Sequence, residues 1–231
     1  MTDTKIYCAL DTDSLDHALH MAGMMEQAGC GLKLGMEFFN AQGPQGIAKI
    51  RSAHPDAPLF VDLKYHDIPN TVAGAVRAIS QLEPAYINVH ATGGRAMMRA
   101  AQEAMESVNN TTKLLAVTIL TSMDESDLAD IGMQTGTADR VRQLAKLTQD
   151  CGLAGIVCSS HEIEAVRAVC GPDFALMVPG IRPAGSAAGD QKRIMTPKDA
   201  LDKGATHLVI GRPITQADDP LQAARDILAT L

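Results

Sequence analysis

Leu59-Phe60-Val61-Asp62-Leu63-Lys64-Tyr65-His66-Asp67 is a short β-type run that ends in charge, and Val72, Ala75, Val76 and Ile79 follow it at helical spacing. Apolar residues at i, i+3, i+4 and i+7 mark one face of a helix, whereas a short run rich in β-branched and aromatic residues reads as a strand. Working outward, the same pairing recurs along the chain. Strands are expected at Ile6–Leu10, Gly31–Leu34, Leu59–Lys64, Tyr86–His90, Leu114–Leu120, Gly155–Cys158, Phe174–Val178 and His207–Ile210. Helical spacing lies between them, as at Leu15, Ala18, Leu19 and Ala22, or at Val141, Leu144, Ala145 and Thr148. Helix starts are signalled by Ser159 with Glu162, Thr196-Pro197 and Asp219-Pro220. Eight alternations in 231 residues average about 29 residues each, the scale of a compact α/β (β/α)8 TIM barrel forming one domain over residues 1–231. An open doubly wound sheet gives the same alternation. Its Gly-x-Gly-x-x-Gly turn is missing after the first strand, where Asp11-Thr12-Asp13-Ser14 stands instead.

Composition narrows the function. Four Phe, three Tyr, no Trp and a net charge of −7 provide neither stacking platforms nor a basic field, so no nucleic-acid partner is expected. No stretch approaches the ~20 apolar residues of a membrane span, and MTDTKIYCALD is too short in apolar residues for a signal segment. A soluble, cytoplasmic protein without membrane contact is the expectation. Cys8, Cys30, Cys151, Cys158 and Cys170 are odd in number and contain no C-x-x-C, which fits reduced, buried thiols. The seven His show neither His-x-His nor His-Glu-x-x-His spacing, so no metal site is predicted.

In a barrel, chemistry gathers at the C-terminal ends of the strands. There the chain places Asp11 after strand one, Lys33 within strand two, Asp62 and Lys64 in strand three and His90 at the end of strand four. Period-two alternation sets Val61 and Leu63 on one face and Asp62 and Lys64 on the other, so packing the apolar pair against helices turns the charged pair inward. Buried opposite charges must pair, and Lys33, Asp62 and Lys64 can do so. Such a cluster is either an ion-pair network that only fills the barrel or a reactive centre. Its position, the spacing Asp62-x-Lys64-x-x-Asp67 and a later anion-type loop favour the centre. That loop is Val209-Ile210-Gly211-Arg212-Pro213, and strand seven ends similarly at Val178-Pro179-Gly180-Ile181-Arg182. Either Arg alone is more often a surface residue, but two at adjacent strand ends suit a phosphate ester. Thr121 is open between a turn residue and a ligand-binding hydroxyl, and His90 is read as a supporting group. Residues 122–136 are expected to hold a short helix, and the glycine-rich segment 182–194 to act as a lid.

The run Phe60 to Thr71, FVDLKYHDIPNT, together with Gly211-Arg212-Pro213-Ile214-Thr215, resembles the orotidine 5'-phosphate decarboxylases. Ala9-Leu10-Asp11, Gly31-Leu32-Lys33, Asn88-Val89-His90, Thr118 to Thr121, Pro179 to Pro183 and Gly189-Asp190-Gln191 extend the likeness in the family's order. The resemblance implies a cofactor-free homodimeric barrel that converts orotidine 5'-phosphate to UMP and CO2, the last step of de novo pyrimidine synthesis. It implies a catalytic set of Lys64, Asp62, Asp67 and Lys33, with Lys64 as proton donor to C6 and Asp62 beside the departing CO2. Asp11 and Lys33 are implied at the ribose, Thr121 at the pyrimidine, and Gln191 between base and phosphate. Arg182, Gly211 and Arg212 are implied at the phosphate, while Asp67, Ile68 and Thr71 belong to the substrate-binding set, Asp67 and Thr71 reaching the neighbouring subunit's site. Relatives of this barrel that are magnesium-dependent keto-sugar-phosphate lyases share Asp-x-Lys-x-x-Asp. Lys33 argues against them here, since an ammonium at that inward position opposes a cation.

Overall fold

A computed structural model describes residues 4–108, 111–133, 136–183 and 195–231. Its strands are β1 (Ile6–Leu10), β2 (Gly31–Leu34), β3 (Leu59–Tyr65), β4 (Tyr86–His90), β5 (Lys113–Val117), β6 (Gly155–Val157), β7 (Ala175–Pro179) and β8 (His207–Ile210). Each pairs in parallel with the next, and β8 returns to β1 to close the barrel. The helices are α1 (Leu15–Ala28), α2 (Met36–Ala53), α3 (Pro69–Ser80), α4 (Gly94–Glu106), α5 (Glu125–Asp130), α6 (Thr137–Asp150), α7 (Ile163–Cys170), α8 (Pro197–Asp202), α9 (Arg212–Thr215) and α10 (Pro220–Leu228). The expected (β/α)8 barrel is therefore the observed fold. No helix among the described residues is long and apolar enough to cross a membrane.

Residue parity along the strands sorts the core. Ile6, Cys8 and Leu10 of β1 pack in one cluster with Ala18, Met21, Ala22 and Met25 of α1, so these positions face the helical shell. Tyr7 points the other way and joins Phe60, Tyr86, Leu115, Met177 and Val209 in a second cluster inside the barrel. The Tyr7 ring meets Phe60, Tyr86 and His207 edge-on at 6.3, 5.9 and 5.7 Å, the geometry that ring quadrupoles favour. His207 Nδ1 lies 2.8 Å from the Thr4 carbonyl, which can only accept, so Nδ1 carries a hydrogen, and Nε2 is hydrogen-bonded with the Tyr86 hydroxyl at 2.8 Å. These rings come from the first or second residues of their strands. They plug the N-terminal half of the barrel and leave the opposite end for the site.

The helix signals act as the spacing predicts. Thr196 accepts from Asp199 N, Asp219 from Gln222 N, and Ser159 with Glu162 forms a reciprocal capping box. The insertion after β5 carries α5, capped by Asp124 and Asp127. All five cysteines are buried and unpaired with one another, and burial pushes the Cys8 thiol up to about 12.

Some strand ends differ from expectation. β5 stops at Val117 rather than Leu120, because β6 ends at Val157 and offers no further partner. Thr118 instead bonds the Val157 carbonyl through both its backbone N–H, at 3.3 Å, and its hydroxyl, at 3.1 Å. Thr121 thus sits on a loop beyond the strand. β3 runs one residue further, to Tyr65, and β7 is shifted by one residue to Ala175–Pro179.

β6 and β7 approach closely where Gly155 pairs with Ala175. A Cβ on Gly155 would run into the Ala175 carbonyl oxygen and come within 2.6 Å of Ala175 Cβ. Gly155→Ala is expected to lower stability by about 1–3 kcal/mol through this overpacking, read as a lower urea midpoint. An unchanged midpoint would show that the seam widens without cost.

Candidate active site

The site is built where β3 departs from regular pairing. Val61 is opposite Ile87, but the next matched pair is Tyr65 with Val89, so Asp62, Leu63 and Lys64 face Asn88 alone. Lys64 takes a left-handed backbone with φ of 53°, which costs a non-glycine residue roughly 1–2 kcal/mol. An irregularity of this kind re-aims side chains beside active sites. Val61 nevertheless lies against the helical shell and Asp62 is buried toward the interior, as alternation predicts.

Asp62 is the hub. Its Oδ1 accepts from Lys64 Nζ at 2.6 Å and from Asn88 Nδ2 at 2.7 Å, while Lys33 Nζ lies 3.2 Å from Oδ2. Burial alone would raise the Asp62 pKa. The two ammonium groups, with the hydrogen bonds from Lys64 and Asn88, outweigh it and hold the carboxyl below its ordinary range. His90 lies at the edge of this cluster, its ring 5.5 Å from that of His66. Burial, then His66 and Lys64, depress its pKa against the pull of Asp62, which keeps the ring neutral at pH 7 and suits a supporting role.

Two cavities open above. One of about 210 Å³ is lined by Lys33, Asp62, Lys64 and Thr121 together with the apolar side chains of Phe60, Val117, Ile119, Val157 and Val209. The other, about 570 Å³, is lined by Asp11, Lys33, Arg182, Gly211 and Arg212, and shares Lys33, Pro179 and Val209 with the first. Eight of the sequence-predicted residues are thus gathered into one continuous space: Asp11, Lys33, Asp62, Lys64, Thr121, Arg182, Gly211 and Arg212. Arg182 is buried and Arg212 exposed.

Asp67, Ile68 and Thr71 are not part of that space. All three are exposed at the start of α3, and Asp67 Oδ1 accepts the Ile68 N–H at 2.6 Å. Gln191 and the expected lid lie outside the described residues, apart from its first residues, Arg182 and Pro183. The described flanks of that segment are joined by a bridge of Ile181 to Met195 and by Arg182 N–H to the Met195 carbonyl at 3.1 Å. Sequence reasoning quoted Asn88 without giving it a role. The signal was present: Tyr86 faces inward, and two residues later the alternation points Asn88 the same way. No group of three or more His, Cys, Asp or Glu among the described residues is arranged to hold a metal ion.

The model of the Orotidine 5'-phosphate decarboxylase / HUMPS family matches residues 4–227. A Rhodospirillum rubrum protein named orotidine 5'-phosphate decarboxylase is 51% identical over 230 residues, covering 97% of this chain and 93% of its own. A protein of the same name from Paramagnetospirillum magneticum is 49% identical over 233 residues, covering 98% and 97%. The crystal structure of orotidine 5'-phosphate decarboxylase from Lactobacillus acidophilus superposes with a TM-score of 0.86 at 34% identity, over 98% of this chain and 97% of that one.

The depressed Asp62 pKa has a sign in acid. Its stabilisation is complete above the unfolded-state value near 4 and is lost as pH falls through the lower folded value. Asp62→Asn leaves Lys33 and Lys64 unopposed and is expected to cost up to about 3 kcal/mol at pH 7. The deficit relative to the parent should shrink below about pH 4, measured by urea unfolding across the range. A deficit that widens toward acid would reverse the assignment.

Proposed function

Because the chain belongs to the Orotidine 5'-phosphate decarboxylase / HUMPS family, we propose that it is a carboxy-lyase that converts orotidine 5'-phosphate to UMP and CO2 in pyrimidine biosynthesis, without metal or cofactor. The observation that carries the reading is Asp62 gripped between Lys33 and Lys64 on the floor of an apolar-walled cavity. Lys33 also separates this activity from the magnesium-dependent lyases, since its ammonium, 3.2 Å from Asp62, occupies space where a cation would need a further anionic ligand.

The pyrimidine fits the smaller cavity, with C6 toward Lys64 and Thr121 at its edge. Ribose and phosphate extend into the larger one, toward Asp11 and Lys33 and then Arg182, Gly211 and Arg212. When the bond from C6 to the carboxylate breaks, its electron pair stays on C6 in an orbital in the ring plane, where resonance cannot spread it. Stabilisation must then be electrostatic. The Lys64 ammonium supplies it from a fixed position and then transfers a proton to C6, leaving a neutral amine that solvent reprotonates. Contacts at the phosphate, remote from C6, convert binding energy into orientation at the reacting carbon. Gln191 is assigned to the link between base and phosphate.

The decisive assay is the ultraviolet absorbance of orotidine 5'-phosphate, which should fall on addition of purified protein and fall equally after exhaustive chelation. Lys64→Ala should lower turnover at least roughly a thousandfold while UMP still binds. Activity restored to a chelated sample by Mg²⁺ would move the assignment to the lyases, and near-normal turnover in Lys64→Ala would end the proton-donor role.

The exposed Asp67 and Thr71 are assigned to the active site of a second copy in a homodimer. A two-fold axis makes such donation reciprocal. Mixing inactive Lys64→Ala and Asp67→Ala proteins under subunit exchange creates heterodimers with one intact site each, and about a quarter of parental activity should return. If Asp67 served its own chain, every site would carry a lesion. No recovery, with heterodimers verified by native mass spectrometry, would reject the shared site.

A further inference from the structure

We infer that Asn88 is the positioning residue of the reaction: one amide that holds both the backbone and the counter-charge of the proton donor. Asn88 is fully buried, and both ends of its side chain are committed to β3. Its Nδ2 donates to Asp62 Oδ1 at 2.7 Å, and its Oδ1 accepts the Lys64 backbone N–H at 2.8 Å. The two partners fix the amide's orientation, since a carboxylate cannot donate and a backbone N–H cannot accept.

The pairing register explains why an amide is needed. Between Val61 opposite Ile87 and Tyr65 opposite Val89, three residues of β3 face one residue of β4, and the regular ladder gives Lys64 no backbone acceptor there. The Asn88 carbonyl oxygen replaces it. A left-handed lysine with φ of 53° persists only where its surroundings over-determine it, and this hydrogen bond is one of those restraints. The other end of the same amide restrains Asp62, to whose Oδ1 Lys64 Nζ also donates at 2.6 Å. Asn88 thereby sets where the lysine backbone starts and where its ammonium finishes. Leucine would fill the space and make neither bond. Aspartate would keep the acceptor but set a second carboxylate against Asp62.

This inference rests on Lys64 and Asp62 being the reacting pair, so Lys64→Ala is measured beside it. Asn88→Leu should lower kcat about a hundredfold, the scale of misplacing a catalytic group by an ångström, with KM and UMP affinity within about threefold of the parent. A merely structural role would reduce the folded fraction and leave each folded site with normal kcat, so turnover is expressed per UMP-binding site. Asn88→Asp supplies a second signature. Two adjoining carboxylates raise one pKa, and the shared proton restores a donor toward Asp62. Its deficit relative to the parent should therefore narrow as pH falls from 8 toward 5. The ionisable groups of this cluster are Asp62 and Lys64 of β3, Lys33 of β2, His90 of β4 and His66, and the parent run in parallel corrects for all of them. If Lys64→Ala is inactive yet folded Asn88→Leu keeps parental kcat, the inference fails while the mechanism stands. If Asn88→Leu does not fold, Asn88→Asp decides: a pH-independent deficit, or none, overturns the positioning role. Near-normal turnover in Lys64→Ala would instead remove the premise.

Discussion

Burying the Asp62 carboxylate is the constraint from which the site follows. A carboxylate removed from water must be neutralised, hydrogen-bonded or protonated, and here two ammonium groups and one amide meet it from three strands. Lys33 comes from β2, Lys64 from β3 itself and Asn88 from β4. Each is held by the one anion, so the cluster ties neighbouring strands together at the end of the barrel that the aromatic plug leaves open. Replacing such a cluster with apolar side chains is often neutral or stabilising elsewhere, which makes stability alone a poor reason for it. Its use lies in the charge it fixes.

Strain and satisfaction are linked there. β3 carries more residues than its partner between two points of register, and the surplus is taken up at Asp62, Leu63 and Lys64. A regular strand would place Lys64 in extended backbone. The left-handed turn instead lets its ammonium come back to the residue two positions earlier, and the Asn88 amide stands in for the missing ladder bond. The packed lower half of the barrel, with Tyr7, Phe60, Tyr86 and His207 edge-on, is the base against which this conformation is held.

The barrel was legible because each unit repeats one pattern, and four strands, Ile6–Leu10, Gly31–Leu34, Tyr86–His90 and His207–Ile210, have the bounds that alternation gives them. Strand five ends earlier than its apolar run. Leu114 to Leu120 is apolar throughout, but the length of a strand is set by its partner, and β6 ends at Val157. Parity also gave the inward turn of Asp62, since Val61 and Leu63 had to face the helices. It did not give the left-handed Lys64, because a surplus between two strands is a property of pairing and no single strand records it. Asn88 was passed over for a related reason: a neutral amide announces nothing by charge, and its value appears only when the two groups it joins, 24 and 26 residues away in sequence, are seen together.

The same geometry bears on how a lysine can act on carbon. An ammonium free in solution is hydrated, and a nearby charge that develops must first displace that water. An ammonium buried without a partner would shed its proton instead. Lys64 has a partner, the Asp62 carboxylate at 2.6 Å, and the apolar walls of Phe60, Val117, Ile119, Val157 and Val209 line the cavity beside it. Two ammonium groups against one carboxylate leave this cluster with one net positive charge. That charge faces a cavity continuous with the one lined by Arg182 and Arg212, so a ligand anionic at both ends is matched at both. A rigidly paired lysine is a better electrostatic partner for charge that appears late in a reaction than a flexible one, because its orientation is set by folding and not during the chemical step.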